Sequence, residues 1–238
     1  MKNAIIVGST SGIGLELARL LAAEGVRTGI TGRREECFTE LKSECPGLFF
    51  FKKLDARDTG SSIEALDQLA AEMGGLDLLV YSAGTGELNP DLEFGPERNT
   101  IDTNVSGFTA IACWAFKYFK RQGSGQVAAI SSIGGLRGGR AAPSYNASKA
   151  YQINYLEGLR QKASREKLNI VITDIRPGLV DTAMAKGDGL FWVMPVKKAA
   201  LQIFRAIKSK KRVVHVTRRW HLIAILLRIL PRVVHERM

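Results

Sequence analysis

The sequence predicts an α/β fold: a doubly wound parallel sheet with helices on both faces, built as a single domain and followed by a C-terminal helix. Three observations predict it. Short β-branched runs alternate with stretches of helical periodicity, the pattern of parallel strands joined by crossover helices. A glycine-rich loop, "GSTSGIG" (8–14), joins the first of these runs to the first helical stretch. No internal repeat, low-complexity linker or composition break interrupts the 238 residues before the tail, so residues 1–217 read as one unit and 218–238 as an addition to it.

The elements follow in order. "NAIIVG" (3–8) is β-branched and stops at a glycine, as a buried strand does. "LELARLLAAEG" (15–25) has helical periodicity and a glycine stop. Strands are expected at 26–32 and 48–55, with no helix assigned between them. A helix covers 63–75 and a strand 76–84. Another helix spans roughly 100–120, and "QVAAISS" (126–132) is a strand. A helix starts near Tyr145, and strands at 169–178 and 212–217 flank a helix over 195–211.

Composition bounds the class. Hydrophobic content of 45% and charged content of 24% suit a globular chain rather than a disordered one. Three widely spaced cysteines, Cys37, Cys45 and Cys113, show no zinc-like spacing and suit a reduced, cytoplasmic protein. "AIIVGS" is too short for a signal peptide, and no apolar run reaches the roughly 18 residues of a spanning helix. No metal is expected. His215, His221 and His235 lie in the last strand or the tail, away from every motif.

The glycine loop carries the first chemistry. Gly8 permits a tight turn, Gly12 lets the backbone approach a pyrophosphate, and Gly14 lets helix and strand pack closely. With Ser9, Thr10, Ser11 and Ile13 they place the free N–H groups of a helix start against phosphates. The second strand ends in "TGRR" (31–34), where a site for NAD has an acid to hold the ribose 2′-hydroxyl. Arg33 and Arg34 instead suit a 2′-phosphate, through charge-assisted hydrogen bonds. NADP(H) is therefore favoured over NAD(H), with Arg33, first after the strand, the better candidate.

The second constellation is "SYNASK" (144–149). On a helix Tyr145 and Lys149 stand on one face, about one turn apart. A nearby ammonium lowers a phenol's pKa, and a phenol so tuned can give and take a proton.

Together these residues resemble the short-chain dehydrogenase/reductase family over about residues 3–217. Gly8, Gly12 and Gly14 match its glycine motif, and Tyr145 and Lys149 its Tyr-x-x-x-Lys motif. Ser132, thirteen residues before the tyrosine, falls where the family has its catalytic serine; the spacing prefers it to Ser131. "DTNVSG" (102–107) matches the segment carrying an active-site asparagine, here Asn104. "RPGLVDT" (176–182) matches the loop over the nicotinamide and places Pro177, Gly178, Val180 and Thr182 at the cofactor; Asp55 in "LDARD" (54–58) matches an adenine-side contact. The chain departs from the family's Asn-Asn-Ala-Gly at "YSAG" (81–84), keeping only Ala83 and Gly84 for the backbone approach.

The resemblance implies a Rossmann-like fold and hydride transfer between nicotinamide and a small-molecule carbonyl or alcohol. Tyr145 would be the general acid/base and Ser132 a hydrogen-bond donor to the same oxygen. Lys149 would hold the ribose and lower the tyrosine's pKa, and Asn104 would hold a water linking Lys149 to solvent. A homodimer or homotetramer is implied, built partly on helices near 104–120 and 145–163. The alternative is a catalytically idle nucleotide-binding or membrane-scaffold protein on the same fold.

The tail is not part of the resemblance. Residues 205–238 hold ten Lys or Arg against one acid, Glu236, and so carry +9 of the +11 net charge. Within 217–238 His221, Arg228, Arg232 and His235 form one helical stripe, apolar residues most of the rest, and Pro231 a break. Such a helix either lies in a membrane interface, peripheral on the inner face, or packs on the body or a subunit. No nucleic-acid platform is present. Phe191, Trp192 and Met194, within "AKGDGLFWVMP" (185–195), would make an apolar substrate lid and suggest a hydrophobic substrate.

Overall fold

A computed structural model describes residues 1–184 and 191–236, with the side chains of Arg218 and Arg232 left aside. The lid stretch 185–190 lies outside the described residues. The chain runs β1 (Asn3–Val7), α1 (Gly12–Ala23), β2 (Arg27–Gly32), α2 (Glu36–Glu44), β3 (Phe49–Lys53), α3 (Thr59–Glu72) and β4 (Leu78–Tyr81). It continues with α4 (Phe94–Ile101), a π-helical turn (Asp102–Gly107), α5 (Phe108–Gln122), β5 (Ser124–Ile130), a 3-10 turn (Ile133–Leu136) and α6 (Pro143–Arg165). It ends with β6 (Asn169–Pro177), α7 (Val196–Lys208), β7 (Val213–Val216), α8 (Arg218–Ile229) and α9 (Arg232–His235).

Among the described residues the strands form one parallel sheet in the order β3-β2-β1-β4-β5-β6-β7. The order reverses between β1 and β4, and the carboxyl ends of these strands open the crevice in which such folds bind ligands. Both faces of the sheet are covered, so β1 is wholly buried and, from Ala4 to Val7, apolar without alternation. Successive side chains still part to opposite faces. Ile5, Val7, Leu79, Tyr81, Val127 and Ala129 join the core beneath α3, α5 and α6. Ala4, Ile6, Leu78, Val80, Ala128 and Ile130 join the core beneath α1, α2 and α7.

Local chemistry explains several boundaries. Asp58 caps α3 by accepting from Ser61 N at 3.2 Å, α5 stops at Gly123 in the left-handed region (φ 92°), and Pro143 opens α6. Two expectations need correction. A helix, α2, occupies 36–44 where none was assigned; its sequence is largely polar, and only Phe38 and Leu41 are buried. The helix expected from about 100 begins at Phe94 and reaches α5 through the π-helical turn that carries Asn104. The tail breaks at Pro231 as its sequence suggests, between α8 and α9.

Candidate active site

The glycine loop leaves β1 through Gly8, whose φ of 83° few other residues adopt. A Cβ on Gly14 would lie 2.2 Å from Gly8 O, so no larger residue fits between helix and loop. Ser11 precedes α1 without capping it by its side chain, which leaves the first N–H groups of α1 to an outside acceptor. This cradle fits a dinucleotide pyrophosphate. Thr182 closes it from above, its Cγ2 3.3 Å from where a Cβ on Gly12 would stand. The buried Ser9 hydroxyl is engaged by the protein itself: it shares its one proton between Ile6 O and Thr31 O, each at 3.2 Å, and accepts from Thr31 N.

At the end of β2 the two arginines differ. Arg34 Nη2 donates to Thr10 Oγ1 at 3.3 Å, bracing the loop. Arg33 is exposed, and its charge helps to lower the pKa of Asp55. The larger cause of that lowering is Arg57, whose Nε and Nη2 donate to the Asp55 carboxylate at 3.0 and 2.6 Å.

The Tyr145 and Lys149 side chains leave the first two turns of α6. The tyrosine ring lies against Gly86, where a Cβ would come within 2.4 Å of the ring. Ser132 caps the 3-10 turn by accepting from Gly134 N at 3.0 Å. Its hydroxyl favours the ionised phenol, but burial outweighs it and pushes the Tyr145 pKa up. That corrects the expected lowering by Lys149. The ammonium stands 5.7 Å from the ring centroid and is aimed elsewhere.

Lys149 Nζ donates to Ile130 O at 2.9 Å and to Gln152 Oε1 at 3.1 Å. Burial lowers its pKa to about 8, and Asp174 partly opposes the shift. Gln152, fully buried, donates Nε2 to Asn104 O at 2.9 Å. A side-chain amide therefore spans the gap between Asn104 and Lys149 that the family resemblance gives to a water. The Asn104 side chain is occupied too: Oδ1 accepts from Thr85 N, and Nδ2 donates to Thr85 O and Ser148 Oγ. Ala83 and Gly84 follow β4 into the crevice, and a Cβ on Gly84 would lie 3.5 Å from both Asn104 Oδ1 and Lys149 Nζ. Ser131, the other serine, donates to Asp174 Oδ1 at 2.5 Å, and Asp174 accepts from Arg176 Nη2 at 2.6 Å.

The nicotinamide-loop residues fall into two groups. Pro177 O accepts from Ser132 Oγ at 3.5 Å, and the Gly178 backbone lies against the Trp220 indole so closely that a Cβ would be 2.1 Å from it. Val180 is buried and bridges in parallel to Met194, whose N donates to Leu179 O and whose O accepts from Asp181 N. Met194 thus packs toward the α1–α7 core, whereas Phe191 and Trp192 stand about half exposed. Sequence reasoning missed Gln152, Gly86 and Met184, whose Cε comes within 3.9 Å of a Cβ on Gly84. An unusual polar residue on the buried face of α6 was the available signal for Gln152.

His215, the register partner of Arg176, meets His221, Nδ1 to Nδ1 at 3.0 Å. Burial and then the Arg176 charge lower the His215 pKa to about 4. Among the described residues no cluster of three His, Cys, Asp or Glu could hold a metal, and the three cysteines are unpaired.

Comparison with known proteins agrees with this fold. The family model for short chain dehydrogenase matches residues 2–189. An uncharacterized oxidoreductase of Myxococcus xanthus is 32% identical over 188 residues, covering 77% of this chain and 74% of its own. A protein of Chlamydia muridarum named 3-oxoacyl-[acyl-carrier-protein] reductase is 29% identical over 192 residues, with 78% and 77% covered. Among solved structures, ElxO with NADP bound superposes with a TM-score of 0.79 at 22% identity, over 90% of this chain and 96% of that one. A short-chain type dehydrogenase/reductase from Mycobacterium ulcerans also gives 0.79 at 22%, over 90% and 88%. The parallel sheet, the glycine loop and the match over most of the chain place this protein in the short-chain dehydrogenase family, as an NAD(P)-dependent oxidoreductase.

Proposed function

We propose that the protein is an NADP(H)-dependent reductase of a small hydrophobic carbonyl compound, with Tyr145 as the proton donor. The observation that carries the reading is the convergence of Ser132, Tyr145 and buried Lys149 on the crevice that the uncapped start of α1 opens. Exposed Arg33 favours the 2′-phosphate form of the cofactor. The relative named as a 3-oxoacyl reductase and the fold neighbour solved with NADP support the same direction.

When bound, NADPH supplies a hydride to the carbonyl carbon. The chain's residues do the rest. Ser132 donates a hydrogen bond to the carbonyl oxygen, holding the charge that develops there. Tyr145 gives its phenolic proton to that oxygen, so the carbon gains the hydride, the oxygen the proton, and the products are alcohol and NADP+. Lys149, mostly protonated at neutral pH, holds the nicotinamide ribose, and the Ser132 hydroxyl favours the phenolate left behind. Gln152 and Asn104 fix the ammonium. Gly8, Ser9, Thr10, Ser11, Gly12, Ile13 and Gly14 take the pyrophosphate, Asp55 the adenine side, and Pro177, Gly178, Val180 and Thr182 the nicotinamide. Alcohol oxidation would run the steps backwards, with Tyr145 as base.

We infer separately that the protein is cytoplasmic and a homodimer or homotetramer, with 218–238 as an added unit in peripheral contact with the inner face of a membrane. Among the described residues no helix is long and apolar enough to cross one. The test is NADPH oxidation against a panel of aldehydes and ketones, beside NADPH and NADH titrations. Turnover abolished in Tyr145→Phe, with NADPH binding kept, is the expected result. Binding without turnover on any carbonyl would favour an idle nucleotide-binding protein.

A further inference from the structure

Helix α8 has two apolar faces. The inner one, Trp220, Ile223 and Ala224, packs on Ile133, Leu136 and Leu179, beside Ser132 and the nicotinamide loop. The outer one, Leu222, Ile225, Leu226 and Ile229, recurs at i, i+3, i+4 and i+7 and is 45–72% exposed. Beyond the Pro231 break, Val233 and Val234 of α9 add further exposed apolar surface, at 61% and 48%. Phe191 and Trp192 extend it at the other end, their ring centroids 5.3 and 6.2 Å from that of Trp220. A run of eight exposed large apolar side chains along one surface is a binding surface rather than the scatter of single residues usual on a monomer.

Charge decides what covers it. The Arg219 guanidinium stands 5.7 Å from the centre of the Trp192 ring on one flank, and exposed Arg228 lies on the other. From Arg205 to His235 the sequence has no acid. A second copy docked through the same face would bring arginines against arginines. An anionic bilayer would meet the apolar strip with acyl chains and its basic rim with headgroups. The helix is also already in place: Arg137 donates to Leu227 O at 2.7 Å and Leu230 O at 2.5 Å, holding its C-terminal carbonyls to the body. Docking therefore requires no ordering of the helix, which removes one cost of binding.

We propose that the outer face of α8, continued by α9 and by Phe191 and Trp192, seats the protein in the headgroup–acyl boundary of an anionic bilayer, and that an amphiphilic carbonyl substrate reaches Ser132 and Tyr145 from that side. The surface stands on its own residues; the route of the substrate rests on the reductase reading.

The test uses the full chain and vesicles of phosphatidylcholine with or without phosphatidylglycerol. Co-sedimentation with the anionic vesicles, weakened by salt, is expected. The double substitution Leu222→Gln and Ile229→Gln, at exposed positions, should lower the partition coefficient about tenfold or more. NADPH binding by the same variant serves as the control for folding. On the reductase side, the variant should keep its rate on a short water-soluble ketone and lose rate on a long-chain ketone held in anionic vesicles. Failure to sediment with anionic vesicles would overturn the surface. So would a wild-type dimer that the double variant converts to monomer, since a second copy would then own the face. Vesicle binding with equal long-chain rates in both proteins would overturn the route. Vesicle binding with no turnover on either ketone overturns the reductase reading and the route with it, and leaves the surface.

Discussion

Replacing Gln152 should move the pH at which the enzyme loses activity, because this residue is one of two acceptors for a buried ammonium. Lys149 Nζ is bound by Ile130 O at 2.9 Å and Gln152 Oε1 at 3.1 Å, and the residue is 4% exposed. A hydrogen bond to a charged group contributes about 1.5–3 kcal/mol, and a pKa unit corresponds to about 1.4 kcal/mol. Gln152→Leu removes that support from the charged form alone, so the Lys149 pKa should fall from about 8 by roughly one to two units. Gln152→Glu sets a carboxylate against the ammonium and should raise it. The assay is the pH profile of kcat/KM for carbonyl reduction, paired with the pH dependence of NADPH affinity. Wild type should lose both above about pH 8, the leucine variant earlier and the glutamate variant later. Identical alkaline limbs in all three proteins would refute the reasoning. Lys149 also affects stability. Its folded pKa lies below the unfolded value of 10.5, so the unfolded chain binds more protons between about pH 8 and 10.5. The contribution of this group to stability should therefore rise with pH across that window.

Three further outcomes are expected. Tyr145→Phe should lower kcat/KM by about two to four orders of magnitude and leave NADPH affinity near wild type, as single-turnover and binding measurements would show. Arg33→Ala should weaken NADPH by about ten- to a hundredfold and leave NADH nearly untouched, so that the ratio of the two dissociation constants collapses. Gly178→Ala should destabilise the fold by about 1–3 kcal/mol in thermal or urea unfolding, because its methyl would overlap the Trp220 ring; in a Trp220→Ala background the added loss should shrink.

The sheet was legible because parallel strands buried on both faces are mostly apolar runs, as in β1 after Asn3, in β4 and in the Val127–Ile130 end of β5; β6 was legible by its β-branched residues despite buried Asp174 and Arg176. The glycine loop was legible because backbone geometry constrains its residue types. What was not legible depends on partners distant in sequence. α2 shows the core only Phe38 and Leu41, too little to reveal a period in a segment rich in Glu. The role of Gln152 appears only when α6 folds against the π-helical turn and brings it to Asn104 O. The direction of the Tyr145 pKa depends on burial, which the spacing of two residues cannot express. The tail's stripe of charge was readable, but the division of its apolar side into an inner and an outer face needed Ile133, Leu136 and Leu179 in place.

The contact between Trp220 and Gly178 changes where the working part of this chain ends. Trp220, whose indole walls the nicotinamide loop, lies 31 positions beyond 189, the last residue matched by the family model. A chain trimmed to the familiar portion would keep every residue of the Ser-Tyr-Lys set yet lose the backing of the loop that Gly178 begins. Fusions at the C-terminus and swaps of the tail between relatives would therefore disturb the nicotinamide loop as well as the tail itself. Variation at 178 and 220 is accordingly expected to be paired, since any side chain gained at one position must be accommodated by space at the other.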